Sequence, residues 1–204
     1  MIRVTLKDQS VKEFEAGVSV IDVARSLGAG LAKAACCGKI DGEVVDLRTS
    51  ITKDCNLEIC TFSDEEGKKA FWHTAAHVMA QAVQHLFPQA KFGIGPALEN
   101  GWYYDIGGVK PFTPDQFASI EAEMKKIVKA DLPVEKRIIT AEEGRTLFAG
   151  QDYKLELLEE YAAKGWELSV YTQGDFTDLC AGPHLMSTAP IKAVKLTQAT
   201  SAYW

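Results

Sequence analysis

The sequence predicts an α+β fold in two parts, on three observations. The first sixty or so residues alternate with the two-residue period of strands around one short helix. An alanine-rich stretch then holds helical period until a proline stops it. The remainder mixes further capped helical starts with strand-like runs.

Near the N-terminus, IRVTL from Ile2, the polar turn KDQS and VKEFE read as a hairpin. Ser19 is placed to cap a short helix, VIDVARSL, with Asp22 at capping-box spacing and Gly28 as its stop. Lys39-Ile40 and Glu43 to Val45 flank Asp41-Gly42, the dipeptide best suited to a two-residue turn with positive φ. NLEICTF, from Asn56 to Phe62, reads as the closing strand. A strand pair, a helix and more strands in so short a span make a β-grasp, ubiquitin-like arrangement. It is expected as a domain over 1–62, followed by a second α+β domain over 63–204 with an antiparallel sheet and packed helices.

The second part opens at Ser63 to Glu66, a capping box whose acidic Asp64, Glu65 and Glu66 suit a helix N-terminus. The helix should run to His85 or Leu86, ahead of Pro88. Ala75, Ala76, Ala80 and Ala82 keep it thin, so that another backbone or a ligand can approach. GIGPALENGWYYDI reads as loop. Thr113-Pro114-Asp115-Gln116 starts a helix whose apolar face is Phe117, Ile120, Met124 and Ile127. Thr140 to Glu143 caps a short helix, and Asp152 to Lys164 makes another that ends at Gly165. ELSVYTQGDFTDLC and PIKAVKLTQATSAYW read as strands separated by a turn at Cys180.

The composition is that of an ordinary globular chain, with no apolar run long enough to span a bilayer and no apolar signal-peptide core behind Met1. A cytoplasmic location and no membrane partner are therefore expected. A net charge of −6 over 204 residues disfavours a protein that coats nucleic acid nonspecifically, so any such contact needs a local basic face. Lys125, Lys126, Lys129, Lys136 and Arg137 form the best candidate, against the plainer reading of a solvated face paired with Glu121 and Glu123. Five cysteines lack disulfide-framework spacing, and Cys36, Cys37, Cys55 and Cys60 read as small core hydrophobes. Gly93 to Pro96 lacks the spacing of a phosphate loop. Alternation puts Trp102 and Tyr104 on one face and Tyr103 on the other.

Two patterns carry the chemistry: HTAAH, from His73 to His77, and CAGPH, from Cys180 to His184. Residues four apart share a helix face, so His73 and His77 can address one point. Gly182-Pro183 breaks a helix, so the second pair should lie on a turn that the fold brings to the first. Either pattern alone is more often a satisfied core histidine or a turn; together they supply three imidazoles and a thiol. Zinc accepts that set, but with all four groups bound it has no position left for water and is structural. A metal-free pocket that positions a water is the other possibility, with Lys154 and Asp178 as charge stabiliser or proton relay. The residues leave both open.

At these residues the chain closely resembles the N-terminal region of the bacterial threonyl-tRNA synthetase family. The resemblance covers essentially the whole chain: the β-grasp segment looks like the family's TGS domain, and HTAAH, FGIGPALENGWYYDI at 92–106, YKLELLEE at 153–160, DLCAGPH at 178–184 and the closing TSAYW follow in order. It implies that the second domain is an editing site hydrolysing seryl-tRNA(Thr) made in error while rejecting threonyl-tRNA by size. The implied catalytic residues are His73, His77, Lys154, Asp178, Cys180 and His184, with Gly95 and Tyr104 as pocket contacts. Related alanyl-tRNA editing domains hold zinc with a similar set, whereas the threonyl type implies none there. The family often has arginine where this chain has Ala181, which puts any RNA contact of that arginine in doubt. The implied partners are the acceptor end of tRNA(Thr) carrying serine and the remainder of the synthetase. ATP, magnesium and the synthetic-site zinc would belong to an aminoacylating domain absent from these residues, so an editing fragment that does not charge tRNA is expected. The rival readings are a free-standing, zinc-dependent aminoacyl-tRNA deacylase and a TGS-type RNA-binding or regulatory module.

Overall fold

The computed structural model describes residues 1–201. The last three residues of TSAYW lie outside the described residues. Contacts divide the chain into two compact units, 1–73 with 182–186, and 74–181 with the segment from Ser187 onward. The first unit thus reaches beyond the segment 1–62 expected as a domain.

In the first unit, β1 (Ile2–Leu6) and β2 (Val11–Phe14) form the expected antiparallel hairpin. β3 (Val18–Ser19) leads into α1 (Val20–Leu27), where the Ser19 hydroxyl accepts from the Asp22 N–H and donates to the Asp22 carboxylate. A short α2 (Ala29–Ala34), not expected from the sequence, follows Gly28. β4 (Ala35–Ile40) and β5 (Glu43–Val45) turn on Asp41 and Gly42, both with positive φ, as their dipeptide requires. β6 (Ser50–Ile51) pairs with β3, and β7 (Cys55–Thr61) lies at the centre of the sheet, in the order β2-β1-β7-β4-β5 with β1 and β7 parallel. Helix α1 covers one face and buries Val20, Ile21, Val23 and Ala24 with Ile2, Val4, Ile51 and Leu57. The β-grasp expectation is met. Cys36, Cys37, Cys55 and Cys60 are buried thiols; burial pushes Cys36 up to about 11 and Cys37 further, as expected of core hydrophobes.

Helix α3 (Glu65–Leu86) begins two residues after Ser63. Immediately before the helix, the Asp64 carboxylate reaches back to accept from the Thr61 N–H at 2.8 Å, which ties the helix start to the end of β7. A carboxylate there also faces the positive end of the helix dipole.

In the second unit, two very small strand pairs lie in and around the stretch read as loop: β8 (Lys91–Phe92), just before it, with β11 (Ile106–Gly107), and β9 (Ala97–Leu98) with β10 (Gly101–Trp102). Helix α4 (Pro114–Lys129) starts in a capping box of Thr113 and Gln116 and buries Ile120, Met124 and Ile127. β12 (Glu135–Ile138) is fully exposed, which is why EKRI carried no alternation by which to find it. Helix α5 (Ala141–Leu147) has the expected Thr140–Glu143 box, and α6 (Asp152–Ala163) runs to Gly165, whose φ of 69° suits glycine. β13 (Ser169–Gln173) and β14 (Phe176–Leu179) complete an antiparallel sheet in the order β12-β13-β14. Ile139, Phe148, Leu158, Leu168, Val170 and Leu179 join this sheet to α5 and α6.

PIKAVKLTQATS is not a strand: residues 191–201 have no regular secondary structure. Its apolar alternation is used by a helix instead of a sheet. Ile191 is buried, the Leu196 N–H donates to Glu121 on α4 at 2.8 Å, and the Thr188 hydroxyl donates to the Ile127 carbonyl at 3.0 Å.

Candidate functional site

The chemistry within the second unit is built around Asp178. It sits on β14, whose alternation places Asp178 on the face opposite its neighbours Thr177 and Leu179. Lys154, in the first turn of α6, is also buried. Its Nζ lies 2.5 Å from Asp178 Oδ1 and donates to the Gly93 carbonyl at 2.5 Å and the Tyr104 hydroxyl at 3.2 Å. From α3, His77 Nε2 approaches Asp178 Oδ2 to 3.2 Å, while the Tyr104 hydroxyl donates to the same oxygen. Side chains from a helix, a second helix and a loop thus converge on one carboxylate.

Burial opposes the ionisation of Asp178, but the Lys154 charge and the His77 contact outweigh it and hold the carboxyl well below its usual range. Burial, reinforced by the Asp178 charge, pushes the Tyr104 phenol well above its ordinary value, so it remains a donor. An ionised Asp178 facing Nε2 places the proton of a neutral His77 on that nitrogen and leaves Nδ1 as the ring's acceptor. Two aromatic rings fix the remaining faces: Phe176 meets His77 edge-on at 5.7 Å, and Phe92 meets Tyr104 at 5.8 Å. Gly95 has a steric reason to be glycine, because a Cβ there would press into the Tyr104 ring.

In the first unit, His73 and His184 stack with ring centroids 4.2 Å apart, and the His184 N–H donates to Asp46 at 2.9 Å. Nothing in the sequence marked Asp46. Cys180 is half-buried beside β13, its N–H donating to the Ser169 carbonyl while the Ser169 hydroxyl donates to the Cys180 carbonyl. Each unit thus holds one histidine of HTAAH and one residue of CAGPH: His73 and His184 in the first, His77 and Cys180 in the second. By chemical type alone, three imidazoles and a thiolate are zinc ligands.

The remaining sequence candidates resolve plainly. Of the basic group, Lys126 pairs with Glu123, Lys136 with Glu167 and Arg137 with Glu143, while Glu121 takes Lys195 rather than a lysine of its own helix. Tyr103 is exposed, whereas Trp102 and Tyr104 are partly covered, as alternation predicts. The helical spacing at His73 and His77 also continues further than expected. Gln81 and His85 extend the same four-residue series and bond to the β13–β14 turn.

Two family models match parts of the chain. Residues 2–61 match the TGS domain, and residues 168–202 match the threonyl and alanyl tRNA synthetase second additional domain. Along all of its 204 residues the chain is 50% identical to a threonine–tRNA ligase of Clostridium perfringens, of which it spans 32%. It is 48% identical to that of Symbiobacterium thermophilum, again over the whole chain and 32% of the relative. It is also 48% identical to that of Caldanaerobacter subterraneus subsp. tengcongensis, over 98% of the chain and 31% of the relative. The chain spans about a third of the length of these relatives.

Proposed function

We propose, for a chain homologous over its full length to threonine–tRNA ligases and carrying their TGS and second additional domains, that it is the editing part of such an enzyme. Its reaction is hydrolysis of the ester in seryl-tRNA(Thr), with threonyl-tRNA rejected by size. The observation that carries this reading is the buried Lys154–Asp178 pair aimed at His77.

The need for a second site is physical. Serine lacks one methyl of threonine and shares its hydroxyl, so a synthetic pocket that accepts threonine rejects serine by only about 1–3 kcal/mol. A smaller pocket resolves this by excluding the extra methyl. The ester is already activated, so a positioned water, an acceptor for its proton and a stabiliser for the developing charge suffice. In this reading His77, oriented through Nε2 by Asp178, offers Nδ1 toward the water, and Lys154 keeps Asp178 ionised. Tyr104, backed by Gly95, holds the carboxylate from its other side. His73, Cys180 and His184 shape the pocket and orient the water and the terminal ribose.

We further propose that the hydrolysing form holds no metal. Zinc bound by all four groups would be closed to water, and the work left for Lys154 and Asp178 would be structural. Single-turnover deacylation of seryl- and threonyl-tRNA(Thr), with zinc measured in the same sample, tests both statements. Rapid loss of serine with threonine retained, at sub-stoichiometric zinc, is the expected result. Failure to deacylate seryl-tRNA would overturn the function. Stoichiometric zinc whose removal abolishes activity would favour the zinc-dependent deacylase instead.

A further inference from the structure

Helix α3 carries a series at four-residue spacing, His77, Gln81 and His85, which places all three side chains along one stripe. Each meets the β13–β14 hairpin. His77 contacts Asp178 on β14. Gln81, buried, donates through Nε2 to the Gln173 carbonyl at 3.1 Å and to Asp175 at 2.8 Å, and its Oε1 accepts from the Gln173 amide at 2.9 Å. His85 sets Nε2 2.9 Å from the Asp175 carboxylate and Nδ1 2.9 Å from Glu123 on α4, and the neighbouring Gln84 donates to the Asp175 carbonyl at 3.2 Å. Asp175 lies in the tight turn three residues before Asp178, with Gly174 at φ 57° beside it. Fixing the turn therefore fixes where β14 presents Asp178.

We propose that Gln81 and His85 are positioning residues for the hydrolysis: they pin the β13–β14 turn to α3 and so set the approach of Asp178 to His77. Neither reaches Asp178 itself. Both act through Asp175 and Gln173, over a rigid two-strand hairpin whose turn has no other side-chain bond to α3 among the described residues than those of Gln81, Gln84 and His85. The arrangement differs from ordinary core packing. A packed helix needs apolar area, whereas this stripe consists of directional bonds, two of them between a histidine and carboxylates. Those bonds transmit position, and a displacement of about 1 Å at a catalytic contact can cost about a hundredfold in rate. The charged groups facing His85 are Asp175 from the turn and Glu123 from α4, the latter shared with Lys126. Partial burial works against the charge of this imidazole, but the two carboxylates outweigh it and raise its pKa, favouring the form that donates from both nitrogens.

The inference rests on the editing reading, so its test has two readouts. His85→Ala removes a partly exposed side chain and should leave the fold intact; Gln81→Met keeps volume and loses the bonds. In single-turnover seryl-tRNA deacylation both should lower kcat about tenfold with KM changed less than about twofold, and His85→Arg, which restores a cation between Asp175 and Glu123, should recover most of the loss. The second readout is the 15N-histidine spectrum. The His77 ring resonances should shift in both variants and stay in place in a Lys136→Ala control. If the wild-type chain does not deacylate, the editing reading fails, yet shifted His77 resonances would still support the coupling. Unmoved His77 resonances in folded His85→Ala, or a wild-type kcat in that variant, would overturn the proposal.

Discussion

Replacing Lys154 by Met keeps the length of the side-chain stem and deletes only its charge and hydrogen bonds. The pair it breaks, Nζ to Asp178 Oδ1 at 2.5 Å, is buried on both sides. At an effective dielectric of about 20, two unit charges at that distance attract by about 7 kcal/mol. Desolvation of both groups offsets much of this, and removing one partner of such a pair costs about 3–5 kcal/mol because the other charge is left uncompensated. Asp178 loses the largest influence that lowers its pKa, so its carboxyl rises and its hold on the His77 Nε2 proton weakens. Gly93 and Tyr104 each lose a bond as well. Urea denaturation should therefore show a loss of about 3–5 kcal/mol, and single-turnover seryl-tRNA deacylation should slow about a hundredfold or more. Threonyl-tRNA should stay intact, since the steric wall that meets its methyl is untouched. Asp178→Asn added to Lys154→Met should restore part of the stability and none of the rate. An unchanged seryl rate would remove Lys154 from the mechanism, and a gained threonyl activity would make it part of the pocket wall.

Gly95→Ala should push the Tyr104 ring off its seat, cost about 1–3 kcal/mol by overpacking and slow editing as the Tyr104–Asp178 bond is displaced, all readable by thermal melting and the same deacylation assay. Stability should also carry the sign of His85. Partial burial works against its charge, but Asp175 and Glu123 outweigh burial and raise its pKa, so its contribution is complete below the ordinary imidazole range and is lost as pH rises through the raised value. The melting gap between wild type and His85→Ala should accordingly be full below the ordinary imidazole range and shrink as pH rises through the raised value; a gap that widens with pH would refute it. Asp178 acts in the opposite sense. Its depressed pKa stabilises the fold above the ordinary carboxylate range, and that contribution fades on acidification.

Much of the local structure was decided by short-range rules that the sequence states openly. Ser19, Thr113 and Thr140 cap because a hydroxyl before a helical run satisfies its first N–H groups, and Asp41-Gly42 turns because those residues tolerate positive φ. The spacings of HTAAH and CAGPH are short-range features of the same kind, one within a helix and one within a loop. What tertiary structure alone decided is every relation across long separations in sequence. No local pattern reveals that Lys154 would meet Gly93 and Asp178, or that His85 would close on Asp175. β12 was invisible because an exposed edge strand has no buried face to impose a period, and residues 191–201 misled because apolar alternation serves a helix surface as readily as a sheet. Local backbone preference is written residue by residue. The partner of a buried charge is set only once folding has removed the water that would otherwise have satisfied it.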